Sequence, residues 1–120
     1  MIKAQKDTAK NRLYLSISGT VSYEEAEKAK DLIEKEIAFL KPDFDLINDI
    51  SKFIHGDDEA GSILKEIMIL LIQKKVNRIV RIVGTSKMGL IQFANNSLAM
   101  DSYKLKYVPT LEEAEKFLSQ

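Results

Sequence analysis

Strand and helix patterns alternate along this chain, and the alternation predicts an α/β domain: a mostly parallel five-stranded sheet with an antiparallel first strand and about four helices, in the order β-β-α-β-α-β-α-β-α. Three observations carry that expectation. Residues 12–18 alternate strictly between polar and apolar, the period of a half-buried strand. Two capping boxes, Ser22 with Glu25 and Thr110 with Glu113, each open an amphipathic stretch. Residues 78–83 form a β-branched run of the kind that a parallel sheet buries on both faces. At 120 residues the chain is long enough for one core and too short for two substantial ones, so a single domain over residues 1–120 is expected.

Taken in order, an extended stretch near Ile2 pairs as a hairpin with the strand of Leu13, Leu15 and Ile17, through a polar turn at residues 7–11. Gly19 is expected to end that second strand. The helix opened by Ser22 has one apolar stripe, Ala26, Ala29, Ile33, Ile37 and Leu40 with Leu32 beside it, and Pro42 is expected to close it. Residues 44–50 read as the next core strand, and a polar segment over residues 51–61 leads to a helix from residue 62 to about residue 75. Asp57, Asp58 and Glu59 stand near its start, where negative charge complements the helix dipole. Apolar residues surround most of this helix (Ile63, Leu64, Ile67, Met68, Leu70, Leu71, Ile72), so it is either deeply buried or half of an interface. Gly84 breaks the strand of residues 78–83. A third helix from residue 88 to about 101, a strand over 104–108 and a fourth helix with Leu111, Ala114, Phe117 and Leu118 on one edge complete the order.

Composition excludes several classes of function. Eighteen Lys plus Arg balance eighteen Asp plus Glu, so no global field draws the chain to nucleic acid or to an anionic membrane. There is no cysteine, which removes disulfides, thiolate chemistry and cysteine-based zinc sites, and which fits a reducing compartment. The first ten residues lack the apolar stretch of a signal peptide, and the longest apolar run, residues 67–72, is far short of the ~20 residues that span a bilayer. A cytoplasmic location without a transmembrane segment is therefore expected.

In element order the chain resembles the STAS domains, and most closely their SpoIIAA-like, anti-sigma factor antagonist-like branch. The resemblance covers nearly the whole chain. It rests on Leu-Ser-Ile-Ser-Gly-Thr-Val at residues 15–21, Leu-Ile-Asn-Asp-Ile-Ser at 46–51, Arg-Ile-Val-Arg-Ile-Val at 78–83 and Leu-Glu-Glu-Ala-Glu-Lys-Phe-Leu at 111–118. It implies the SpoIIAA/STAS-like fold. Phosphorylated members of the family carry Asp-Ser-Ser-Gly or Asp-Ser-Thr-Gly at the start of the second helix, and the matching residues here are Asp58-Glu59-Ala60-Gly61. Both hydroxyl positions are missing, so the resemblance implies a module without the usual phosphorylation switch. Glu59 supplies one negative charge where a phosphoserine would supply ≈ −1.5 to −2. Ser62 and Ser51 remain as nearby hydroxyls.

No catalytic constellation stands out. His55-Gly56-Asp57-Asp58-Glu59 gathers one imidazole and three carboxylates, but the spacing matches no metal motif, and a solvated helix cap is the stronger reading. A hydroxyl nucleophile at Ser51 or Ser62 would have only His55 as its base. Residues 84–89 outline a phosphate-cradling loop with Lys87 near a helix start, yet they match neither glycine-rich pattern, and an ordinary turn is the stronger reading. Arg78 and Arg81 point to opposite faces of their strand; Arg81 is expected to be satisfied by Asp45 or Asp49, or to snorkel. Asn95 and Asn96 read as helix surface.

Ligands and partners gather at the carboxyl ends of strands in such sheets, here residues 49–62 and 84–89. These features describe a non-enzymatic STAS-like regulatory or protein-interaction module that uses no cofactor and no metal. A protein partner, a regulatory kinase-like or sensor protein, would dock on Asp49, Ser51, Asp57, Asp58, Glu59, Ala60, Gly61, Ser62, Lys65, Lys87 and Met88. A homodimer is an alternative use of the apolar second helix. The alternative function is a small-ligand or membrane-surface binding module built on helices two and three.

Overall fold

The fold begins with the hairpin. In the computed structural model, which describes residues 1–85 and 104–119, β1 (Ile2–Asp7) runs antiparallel to β2 (Arg12–Val21), with Ile2 opposite Ile17 and Asp7 opposite Arg12. The turn closes through the Lys10 N–H, which donates to the Asp7 carboxylate at 3.1 Å, and through Asn11, whose φ of 53° is one that asparagine tolerates. Helix α1 (Tyr23–Ile37) starts at Ser22, whose Oγ accepts from the Glu25 N–H at 3.2 Å. The second half of the capping box is diverted: the Glu25 carboxylate lies 3.2 Å from the amino group of Met1.

The other elements are β3 (Asp45–Gly56), α2 (Asp58–Gln73), β4 (Arg78–Ile82), β5 (Lys104–Val108) and α3 (Leu111–Leu118). The sheet order is β1-β2-β3-β4-β5; the first pair is antiparallel and the rest parallel, as expected from the sequence. The expected third helix, with Asn95 and Asn96, lies outside the described residues, so three helices stand among those described.

The pleat sorts the core into two layers. Leu13, Leu15 and Ile17 of β2, Leu46 of β3 and Ile79 of β4 pack with α1 and α2 through Ala26, Ile33, Ile63, Ile67 and Leu71. The alternate residues Ile47, Val80, Ile82 and Val108 pack on the other face against Ala114 and Leu118 of α3. Burying one such Leu or Ile side chain contributes about 1.5–3 kcal/mol, which the solvated strand-end residues cannot match. Among the described residues no helix is long and apolar enough to cross a membrane.

Several local expectations are corrected. Gly19 does not end β2, which continues to Val21 with Gly19 in the left-handed region at φ 67°. Helix α1 stops at Ile37, before Pro42, because residues 38–40 tighten into a turn in which Phe39 is exposed under the Lys6 ammonium, 4.5 Å from the ring centroid. Leu32, placed beside the apolar stripe, is exposed, as are Ile69 and Ile72 of α2 and Leu111 of α3. β3 runs six residues past the expected end, and α2 begins at Asp58, four residues before Ser62.

The arginine ion pair falls on Arg78 instead of Arg81. Arg78 Nη2 donates to Asp45 Oδ2 at 2.8 Å and Nε to Oδ1 at 3.1 Å, a bidentate match that buries the carboxylate on the α3 face. On the same face Arg12 and Tyr14 converge on Glu115 of α3; Arg12 Nη1 and the Tyr14 hydroxyl both donate to it, the latter at 2.7 Å. Burial by itself would lower the Arg12 pKa, but the bond to Tyr14 and the Glu115 charge carry it above the ordinary arginine value. Burial and the bond to Glu115 outweigh Arg12 and raise the Tyr14 pKa.

Candidate functional site

β3 outruns its neighbour on one side only. Its register with β4 stops where Asp49 faces Ile82, whereas its register with β2 continues to Gly56 opposite Val21. Over this tail β3 carries two extra residues. Ser16 faces Asp49 and Ser18 faces Lys52, so one β2 residue spans Ile50 and Ser51; Gly19 faces Phe53 and Thr20 faces His55, so Ile54 has no opposite number. Each extra residue is a bulge, which shifts the side-chain alternation by one and re-aims the side chains beyond it.

The first bulge is held by Asp49. Its Oδ1 accepts from the Ser51 N–H at 3.0 Å and from the Ser51 Oγ at 2.6 Å, giving the displaced amide a partner. Because of that shift Ile50 and Phe53, three residues apart, both pack on the α1/α2 core. The second bulge sits beside the left-handed Gly19 and turns Ile54 outward, where it is 77 % exposed. His55 is exposed next to it.

The first turn of α2 adjoins this tail. Asp57 is the N-cap, its Oδ1 accepting from the Ala60 N–H at 2.7 Å, and Asp58 and Glu59 stand exposed in the first turn. Ala60 is fully buried; Gly61, Ser62 and Lys65 are exposed, with the Ser62 Oγ donating to the Asp58 carbonyl at 3.3 Å. A Cβ at Gly61 would meet nothing within 4 Å. Gly84, left-handed at φ 91°, brings the turn after β4 against the first bulge, where a Cβ on it would lie 3.7 Å from that of Ser51. Lys87 and Met88 lie outside the described residues. The opening turn of α1 stands nearby: the Tyr23 hydroxyl donates to Glu27, and that bond, with the charges of Glu27 and Glu59, raises the Tyr23 pKa.

The structure thus joins Asp49 to Ser51 and Asp57 to Ala60, and leaves His55 apart. Both candidate hydroxyls donate to carboxylate or carbonyl oxygens of their own segments, and no hydrogen bond links either to the imidazole. Among the described residues no three of His, Cys, Asp and Glu converge as a metal site. Ile54, the most exposed large apolar side chain among the described residues, carries no expectation from the sequence. The usable signal was a Phe-Ile pair inside a stretch read as a polar segment.

The sequence matches no protein-family model and no curated protein. Solved structures do match, over nearly the full length of both chains. An uncharacterized protein of the DUF3478 family with a SpoIIAA-like fold, from Shewanella loihica PV-4, is 18 % identical, with 98 % of this chain and 92 % of that one covered at a TM-score of 0.71. The anti-sigma factor antagonist SpoIIAA in its unphosphorylated form is 13 % identical over 99 % of this chain and 98 % of that one, at 0.65. The phosphorylated form of the Bacillus cell fate determinant SpoIIAA is 12 % identical over 98 % and 99 %, at 0.62. The resemblance read from the core and cap motifs is therefore met in three dimensions: this chain has the SpoIIAA-like fold.

Proposed function

We propose that this chain is a non-enzymatic interaction module that docks a partner protein on the β3 tail and the opening turns of α2. The observation that carries the reading is Ile54, which a bulge turns outward to 77 % exposure beside the exposed carboxylates of Asp57, Asp58 and Glu59. An apolar knob rimmed by negative charge suits a partner with an apolar socket rimmed by lysine or arginine. The fold is shared with a protein named as an anti-sigma factor antagonist, which supports a protein as the partner. Docking here needs no phosphorylation, because Glu59 and Ala60 stand where the family's hydroxyls would be.

The test is reconstitution. A protein retained from the native cytosol by the wild-type chain is purified and titrated against Ile54→Asp, Glu59→Lys and Gly61→Arg. Gly61→Arg projects into open space, so it changes the surface without disturbing the core. Each variant is expected to weaken binding by about tenfold or more. Unchanged affinity in all three removes this surface, and phosphate incorporation at Ser51 or Ser62 by a kinase from the same cytosol overturns the switchless reading.

A further inference from the structure

β1 ends the sheet, and among the described residues no strand pairs with its outer edge. The Ser18 N–H donates to the Met1 carbonyl at 2.9 Å, which makes Met1 and Ser18 a hydrogen-bonded pair of the antiparallel ladder. Bonded and non-bonded pairs alternate in such a ladder. Lys3, Gln5 and Asp7 therefore bond to β2, while Ile2, Ala4 and Lys6 turn their N–H and C=O groups outward. An open row of this kind is a template for another strand.

Helix α1 lies over β1 and runs parallel to it. The Glu25 carboxylate is 3.2 Å from the Met1 amino group, and Lys6 Nζ donates to Glu36 Oε2 at 2.7 Å. At ~3.4 Å per residue in the strand and ~1.5 Å in the helix, these two ties are about 17 Å apart along either element, which puts Leu32 level with Ala4. Glu25, Lys28, Leu32 and Glu36 share the flank of α1 that looks out past β1, at right angles to the core stripe of Ala26, Ile33 and Ile37. Phe39, under the Lys6 ammonium, continues that flank. Leu32 and Phe39 are exposed on it, and Ile2 and Ala4 of the strand beneath are only partly buried.

This surface is complementary to itself. A two-fold axis through Ala4 pairs that residue with its own copy, Ile2 with Lys6 and Lys3 with Gln5, so the outward backbone groups meet and no lysine stands directly opposite a lysine. The same axis runs α1 antiparallel to its copy and sets Leu32 against Leu32. Lys28, which has no ion pair among the described residues, then stands level with Glu36 of the second copy. At each end of the contact Lys6 and Glu36 of one copy meet Glu25 and Lys28 of the other, a balanced set of charges.

We propose that this chain forms a homodimer through β1 and α1, the two sheets joined edge to edge and Leu32 at the centre of the helix contact. Edge lysines ordinarily discourage such pairing. Here Lys6 is already held by Glu36 and the Phe39 ring, and Lys3 meets the neutral Gln5 of the second copy. The apolar surface of Leu32 and Phe39 leaves water on association.

Sedimentation equilibrium on the purified chain tests this without any other protein, so the outcome is independent of docking at Ile54. A rise toward twice the monomer mass is expected between micromolar and millimolar concentration. A lone edge strand tolerates Ala4→Pro because that N–H faces solvent, and Leu32→Glu sets two carboxylates on the axis; each is expected to weaken the dimer about tenfold or more. The chain has no cysteine, so Leu32→Cys supplies one thiol per copy and should cross-link under mild oxidation, whereas Lys65→Cys on the exposed side of α2 should not. In hydrogen exchange the Ala4 and Lys6 amides should gain protection as concentration rises, with Lys3 and Gln5 protected throughout. A monomeric mass at millimolar concentration overturns the second copy as the occupant of this edge. A dimer that keeps its affinity in Leu32→Glu, or that leaves the Ala4 amide unprotected, overturns the surface whether or not Ala4→Pro folds, as does equal cross-linking of the two cysteine variants.

Discussion

Arg78 and Arg81 are three residues apart on one strand and end in opposite circumstances. On the α3 face Arg78 meets Asp45 in a bidentate pair, and Arg12 reaches Glu115 through Nη1 alone, its Nε buried and without a partner. On the α1/α2 face Arg81 donates to the Tyr107 hydroxyl and, among the described residues, pairs with no carboxylate, beside an Asn48 whose Oδ1 has no hydrogen-bond partner. Desolvating a guanidinium costs free energy on either face. Where a carboxylate answers it, the arginine ties α3 and the neighbouring strand to the sheet; among the described residues none answers Arg81. An arginine in a core strand carries no single meaning until its partners are known.

Three urea-denaturation measurements test the contrast between the two faces. Asp45→Asn strips Arg78 of its counter-charge and is expected to cost about 3 kcal/mol, the scale for a buried pair broken on one side. A loss below about 1 kcal/mol would mean that the pair does not hold the α3 face together. Tyr14→Phe removes one donor to Glu115 and should cost about 1 kcal/mol at neutral pH. Its pH dependence comes from the raised Tyr14 pKa. The unfolded chain ionises this phenol near the usual value of about 10 while the folded chain still holds the proton, so the stability it contributes is present below that pH and is lost as pH rises through the folded value. The wild-type chain should therefore weaken above about pH 10 more steeply than Tyr14→Phe; parallel profiles would remove Tyr14 from the network. Asn48→Leu should go the other way, adding roughly 0.5 kcal/mol, because it replaces an unpaired acceptor with apolar surface. A loss of the size expected for Asp45→Asn would dissolve the contrast between the faces.

The extended reach of β3 shows why part of the site was illegible. Up to Ile50 the strand keeps a readable pattern, Leu46, Asn48 and Ile50 on one face and Ile47 on the other. Beyond it the two bulges shift the alternation, so Phe53 turns inward and Ile54 outward in a stretch whose period matches no strand. A bulge is specified by the opposing strand's register and by Gly19, some thirty-five positions earlier, and no local window contains both. The α2 cap was easier: Asp57, Asp58 and Glu59 announce a helix start, though the onset lies four residues before the expected Ser62.

By itself the sequence determined the order of the described elements, the antiparallel first strand, the capped starts of α1 and α3, and the absence of cysteine chemistry, because periodicity, caps and composition are local properties of the chain. Tertiary structure decided which arginine receives Asp45, which side Ile54 faces, and that Asn48 and Arg81 meet across neighbouring strands. Those are matters of register between distant segments. A shift of one residue would exchange every inward side chain for an outward one, so only the assembled sheet fixes them.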